Sequence, residues 1–255
     1  QPTAAMEANR RAETSLRRGE LDRAVFHYRE ALRLSLAVED AEGVAANAVN
    51  LSVVLQRQGR FEEARASLAP LLEGATLEHA PVRRAQGALR RAVLDLDERR
   101  HESAAQWIGR AAAWCGEPCA LAAPIRNLQG QLALQAGRLE EAAAAAGSAL
   151  AAGRAADNAA EVANAQRLRG MTALAAGDGA AAHEALEAAL AIDREIGIPR
   201  RIFRDLLGLG RAGELRGDKA AARGYYARAL AVGEADRDAA GVAEARSLID
   251  ALDGK

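Results

Sequence analysis

Two cysteines, Cys115 and Cys119, are the most reactive side chains of this 255-residue chain and lie in Trp114-Cys115-Gly116-Glu117-Pro118-Cys119. A dithiol redox centre needs two residues between its cysteines, on a helix that follows a strand. Here three residues intervene, and no strand-like run precedes them. Two thiols also supply only half of a tetrahedral zinc shell. The segment reads as a helix ending at Cys115, with Gly116 as its left-handed cap and Pro118 barring continuation. In an oxidising compartment the pair can close a small disulfide; free thiols in a turn are the alternative.

Gly208-Leu209-Gly210-Arg211-Ala212-Gly213 fits the GxGxxG dinucleotide pattern. That pattern works only between a strand and a helix, where the glycines admit a pyrophosphate to the helix N-terminus. Here it falls inside an amphipathic helical stretch, so no cofactor is expected. The histidines His27, His79, His101 and His183 are scattered, and none pairs with another ligand at metal spacing. Glu62-Glu63 and Glu140-Glu141 look like paired carboxylates, but neighbours on a helix diverge by about 100°. They suit a first helical turn, where negative charge complements the macrodipole. No Ser/His/Asp or Cys/His grouping emerges. Catalytic, cofactor and metal sites are therefore all expected to be absent.

The composition must then be read for architecture. The chain holds 66 alanines and 31 leucines against 8 aromatics and 6 prolines, a helical balance poor in strand formers. Lys plus Arg is 34 and Asp plus Glu is 35, a net charge of −1, which offers no basic excess for unspecific nucleic-acid binding. No apolar run approaches the ~18 residues of a membrane span. Only Lys219 and Lys255 are lysines, and the arginine and alanine bias suggests a GC-rich bacterial source.

Self-similarity supplies the organisation. Gly59-Arg60-Phe61-Glu62-Glu63-Ala64 aligns with Gly137-Arg138-Leu139-Glu140-Glu141-Ala142, and Gly177-Asp178-Gly179-Ala180-Ala181-Ala182 with Gly217-Asp218-Lys219-Ala220-Ala221-Ala222. Gly19 opens another copy, and Arg99 stands at the turn of the third. Each period of about 40 residues holds two helices around that turn. Ala24, Ala64, Ala104, Ala142, Ala182 and Ala222 follow the turns, and larger groups (Tyr28, Leu68, Ile108, Leu186, Tyr226) come one helical turn later, with Ala146 the exception. Before the turns, Gly130, Gly170 and Gly210 recur, with Ala12, Ser52 and Ala92 in the other copies. Small residues there suit a close helix crossing. Asp40, Asn158 and Asp238 are expected N-caps, as are Asp178 and Asp218. Ala80-Pro81 and Ile198-Pro199 place proline at a first helical position. Trp107 and Trp114 share a helix face and suit a core, while Pro70 is expected to kink its helix.

The small–large–small spacing around a glycine turn resembles the tetratricopeptide repeat (TPR). Asn50-Leu51 with Gly59 and Phe61-Glu62-Glu63-Ala64, and Leu209-Gly210 with Gly217, Ala222, Tyr226 and Ala229, carry the resemblance most clearly. The usual period is about 34 residues; the longer one here is similar to kinesin-light-chain-type and bacterial regulatory TPR domains. The resemblance implies an all-α, right-handed superhelical solenoid of six helix pairs, one domain over 1–255. The repeats are 3–40, 41–79, 80–117, 118–157, 158–197 and 198–237, with a capping helix over 238–252.

The resemblance also implies a non-enzymatic scaffold whose concave groove, lined by the first helix of each pair, holds a protein or peptide segment. The groove residues are then Asn9 (with Met6, Arg10 and Glu13 beside it), Asn50, Arg90, Asn127, Gln131, Asn164, Arg167, Arg204 and Arg211. Asparagine amides suit an extended peptide backbone. Arg167, Arg204 and Arg211 would form a local cationic patch for an acidic segment or a C-terminal carboxylate. The alternative function is a sensor or oligomerisation module of a larger bacterial signalling or transcription regulator. The start at Gln1 and the paired cysteines lean toward a periplasmic or secreted protein, tethered at its N-terminus; a cytoplasmic one is the alternative.

Overall fold

The computed structural model describes residues 3–73 and 77–254. Residues 1–2, 74–76 and 255, which the expected domain over 1–255 takes in, lie outside the described residues. Two compact units divide the chain at Leu121. The first holds α1 (Ala4–Arg17), α2 (Leu21–Ala37), α3 (Ala41–Arg57), α4 (Phe61–Ser67), α5 (Ala69–Leu72), α6 (Pro81–Asp97) and α7 (His101–Cys115). The second holds α8 (Ala122–Gln135), α9 (Leu139–Ala155), α10 (Ala159–Ala175), α11 (Gly179–Ile196), α12 (Pro199–Leu215), α13 (Lys219–Ala235) and α14 (Ala239–Leu252). Among the described residues there is no strand, and no helix is long and apolar enough to cross a membrane.

Each helix packs on its successor in sequence, within each unit. The pairing follows from the turns. Gly19, Gly59, Gly137, Gly177 and Gly217 all adopt a left-handed φ between 72 and 79°. That geometry stops one helix, and the chain re-enters helix within a few residues. Asp178 accepts from the Ala181 amide and Asp218 from the Ala221 amide, each at 2.9 Å, while Asp40, Asn158 and Asp238 cap α3, α10 and α14 in the same way.

Arg99 takes the glycine's role in the third pair at φ 56°. A left-handed conformation costs a non-glycine residue ~1–2 kcal/mol, of which glycine's larger unfolded-state entropy returns part. Arg99→Gly should therefore raise unfolding stability by about 0.5–1 kcal/mol. Urea denaturation monitored by helicity checks this, and a lowered midpoint would contradict it.

The six alanines that follow the turns are completely buried, and so, to within 3%, are Tyr28, Leu68, Ile108, Leu186 and Tyr226. Small and large residues interlock across the pair. A Cβ on Gly170 would lie 2.5 Å from Leu186 Cγ, and one on Gly210 would enter the Tyr226 ring. Where the large residue is Ala146, Gly130 instead receives Leu168 from the next first helix. Pro70 interrupts its helix: α4 stops at Ser67, Leu68 is a turn, and α5 resumes for one turn with the proline near its start. The missing proline N–H explains the break, since a continuous helix would need it to reach the Ala66 carbonyl.

Candidate functional site

In the first unit, the candidate residues of α1, α3 and α6 divide into committed and uncommitted groups. Asn9 donates to Asn47 Oδ1 at 2.6 Å, and Asn47 donates to Ser35 Oγ at 3.3 Å. Arg90 reaches back to α3, donating to Ser52 Oγ at 2.7 Å, to the Ser52 carbonyl at 3.1 Å and to Gln56. Both Asn9 and Arg90 thus tie one first helix to the next. Asn50 is half-buried and has no side-chain hydrogen bond among the described residues. Val49 and Val53, beside it in α3, are partly exposed as well.

In the second unit the committed group is larger. Asn127 is 3% exposed and donates to the Glu161 carboxylate at 2.7 Å and its carbonyl at 3.2 Å. Asn164 Oδ1 accepts from Arg167 at 2.9 Å and from Arg201. Arg167 donates to Asp205 at 2.6 Å and to Asp193. Gln131 is exposed without a side-chain hydrogen bond, and Arg204 and Arg211 are exposed. Arg211 faces Glu244 at 3.5 Å.

The expected cationic patch is therefore corrected. Arg167 is only 14% exposed and is neutralised by two carboxylates that are themselves completely buried. Arg201, 17% exposed, adds a second guanidinium 3.2 Å from Asp193 and donates to the Ala160 carbonyl at 2.7 Å. Burial and the neighbouring Asp193 push the Asp205 carboxyl up to about 7, against the pull of Arg167. Burial also lowers the Arg201 guanidinium. This balanced cluster joins α10, α11 and α12 and leaves little net charge for a partner.

Asp193, Asp205 and Arg201 were not expected from the sequence, yet a signal was there. Asn9 and Asn47 are 38 residues apart, as are Arg167 and Asp205. Ser35 precedes Asn47 by 12 residues, and Asp193 precedes Asp205 by the same interval. The same three repeat positions thus carry a neutral junction in one unit and an ionic one in the other. In the first unit a buried guanidinium, Arg65, 4% exposed, meets buried Asp95 and the more exposed Glu98 and Glu62.

The remaining chemical motifs resolve into structure. Cys115 and Cys119 are joined in a disulfide, with Cα atoms 5.2 Å apart. Trp107 is buried and flanked by the Arg110 guanidinium 4.5 Å from its ring, while half-buried Trp114 carries Arg84 at 4.1 Å. Gly208, Gly210 and Gly213 lie inside α12, where they receive Leu186, Tyr226 and Ala222. The motif is a packing surface. Among the described residues no group of three His, Cys, Asp or Glu gathers as a metal site.

This arrangement of antiparallel pairs has solved counterparts. A tetratricopeptide repeat protein from Parabacteroides merdae superposes with a TM-score of 0.50 at 15% identity, over 96% of this chain and 98% of its own. The fold is that of the tetratricopeptide-repeat proteins. BtubC (BKLC) from P. vanneervenii gives 0.57 at 22% identity over 93% and 94% of the two chains. Aspartyl phosphate phosphatase F from Bacillus subtilis gives 0.62 at 12% identity, over 99% of this chain and 80% of that one. At such identities the likeness is one of TPR fold. No family model and no curated protein matches the sequence.

Proposed function

We propose that this TPR chain is a non-enzymatic scaffold that holds a segment of a partner protein against the exposed sides of its first helices. The observation that carries the reading is the division of labour among the candidate polar groups. Asn9, Arg90, Asn127, Asn164 and Arg167 are consumed in joining repeats, whereas Asn50 and Gln131 keep their amides uncommitted. An amide both donates and accepts, so each can bind an extended backbone at two points. Arg204 and Arg211 are exposed cations of α12, and an acidic segment or C-terminal carboxylate there would displace Glu244 from Arg211.

A photo-crosslinking residue at position 50, in the native host, should capture a partner protein, and so should one at position 131. Asn50→Ala and Gln131→Ala should each weaken binding of the purified partner captured at that position by about three- to tenfold, the worth of one or two hydrogen bonds. Crosslinks confined to the second helices would overturn the reading. We also propose an oxidising compartment, supported by the Cys115–Cys119 bond. Cell fractionation that finds the protein in the cytoplasm with both thiols free would contradict it.

A further inference from the structure

Exposed cations gather beside an exposed aromatic at the first helix pair. A notch between α1 and α2 is lined by Arg10, Arg11, Arg18 and Arg23, with Phe26 and Glu20 on its second-helix side. Arg23 is engaged by Glu20 at 3.2 Å and Arg11 loosely by Glu7 at 3.9 Å. The side chains of Arg10 and Arg18 are exposed and have no hydrogen bond or ion pair among the described residues. Phe26 is 65% exposed, its ring held edge-on by His27 at 5.2 Å between centroids. An exposed aromatic beside unpaired guanidiniums carries an apolar anchor and an anion clamp together.

We infer that this notch is a docking site for an acidic linear segment of a partner protein, with one apolar side chain seated on Phe26. Eight residues of helix separate Arg10 from Arg18, about 12 Å along the axis. That distance matches about four residues of extended chain. The segment therefore carries carboxylates about four positions apart, with its apolar residue between them. Charge complementarity selects this occupant. The notch is confined to one helix pair and bordered by Glu7 and Glu20, on a chain of net charge −1, which disfavours the long phosphate array of a nucleic acid. One exposed aromatic is too small an apolar face to hold an anionic membrane. The surface adds Glu20 and Phe26 of the second-helix side to the α1 face that carries Arg10, so it is not confined to the first-helix faces that carry Asn50 and Gln131.

The test uses a short fluorescein-labelled peptide of glutamates around one phenylalanine, with the whole chain titrated at low and high salt. Binding should be salt-sensitive, weaken about five- to tenfold in Arg10→Ala/Arg18→Ala and several-fold in Phe26→Ala, and persist in Asn50→Ala. Circular dichroism verifies that the exposed substitutions leave the helices intact. Replacing the peptide's phenylalanine by serine should match the loss seen in Phe26→Ala. Four results would overturn the inference: no binding above a serine-substituted neutral peptide, unaltered binding by the arginine double variant, tighter binding of a DNA duplex or anionic vesicles through the same residues, or occupation of the notch by a second copy of the chain, seen as concentration-dependent dimerisation that the arginine substitutions abolish.

Discussion

Arg167→Met should destabilise the protein by about 3–5 kcal/mol, the cost of leaving a buried ionic group without its partner. Methionine keeps much of the arginine's length and apolar stem but removes the guanidinium that touches both Asp193 and Asp205. Those carboxylates are completely buried, so water cannot replace it. Arg201 still reaches Asp193, which leaves Asp205 as the stranded group. The loss should depend on pH. Asp205 already holds its proton up to about pH 7 because burial outweighs the pull of Arg167. Between its unfolded value near 4 and that point, the native state binds a proton the unfolded chain has released. Its contribution to stability therefore falls as pH rises through that window, by at most ~1.4 kcal/mol per pH unit, and levels off above it. Urea denaturation of wild type, Arg167→Met and Asp205→Asn at pH 5 and pH 8 separates these effects. Arg167→Met should lose more at pH 8, where the pull of Arg167 on the ionised Asp205 is gone and the carboxyl must keep its proton against the solution, and Asp205→Asn should flatten the slope. Equal losses for Arg167→Met at both values would show that the cluster acts through packing alone.

The same cluster explains what could and could not be read in the sequence. Turn positions, caps and the small–large alternation are local or strictly periodic. Gly19, Asp178 and the Gly170–Leu186 interlock therefore follow from residue type and spacing. Even the irregular third turn was legible, because Arg99 keeps the period and adopts the backbone conformation that the position demands. The site was harder. Asn50 and Arg90 occupy equivalent places on successive first helices, but one amide is uncommitted and one guanidinium is spent on Ser52. That difference depends on which side chain the neighbouring repeat presents, and periodicity is blind to it. Arg167 shows the same limit: it reads as a groove cation until Asp193 and Asp205 are seen to converge on it from two other helices. A search for polar residues at the 26- and 12-residue intervals of Asn9, Ser35 and Asn47 would have exposed the pairing. Pro70 tells a smaller version of this story, since its ring dictates a break while packing of Leu71 and Leu72 lets the helix resume.

The interlock of small and large residues predicts that one substitution will change sign with its background. Tyr226 is completely buried and donates its hydroxyl to Glu214, so Tyr226→Ala should cost about 3–5 kcal/mol. Gly210→Ala should also destabilise, by ~1–2 kcal/mol, because the added Cβ would sit inside the Tyr226 ring and force it aside. In a helix interior, however, alanine is preferred to glycine by roughly 1 kcal/mol. Once Tyr226→Ala has removed the ring, that preference is unopposed and the new methyl fills part of the void. Gly210→Ala should then stabilise, and the double variant should be more stable than Tyr226→Ala alone. Gly224, in the same α13 helix as Tyr226, has open space around its would-be Cβ. Gly224→Ala should accordingly raise stability by a similar ~1 kcal/mol in either background. A thermodynamic cycle over these variants by urea denaturation reads the coupling directly. If Gly210→Ala is destabilising by the same amount with and without the tyrosine ring, the close crossing of α12 and α13 is set by the backbone and not by the glycine–tyrosine fit.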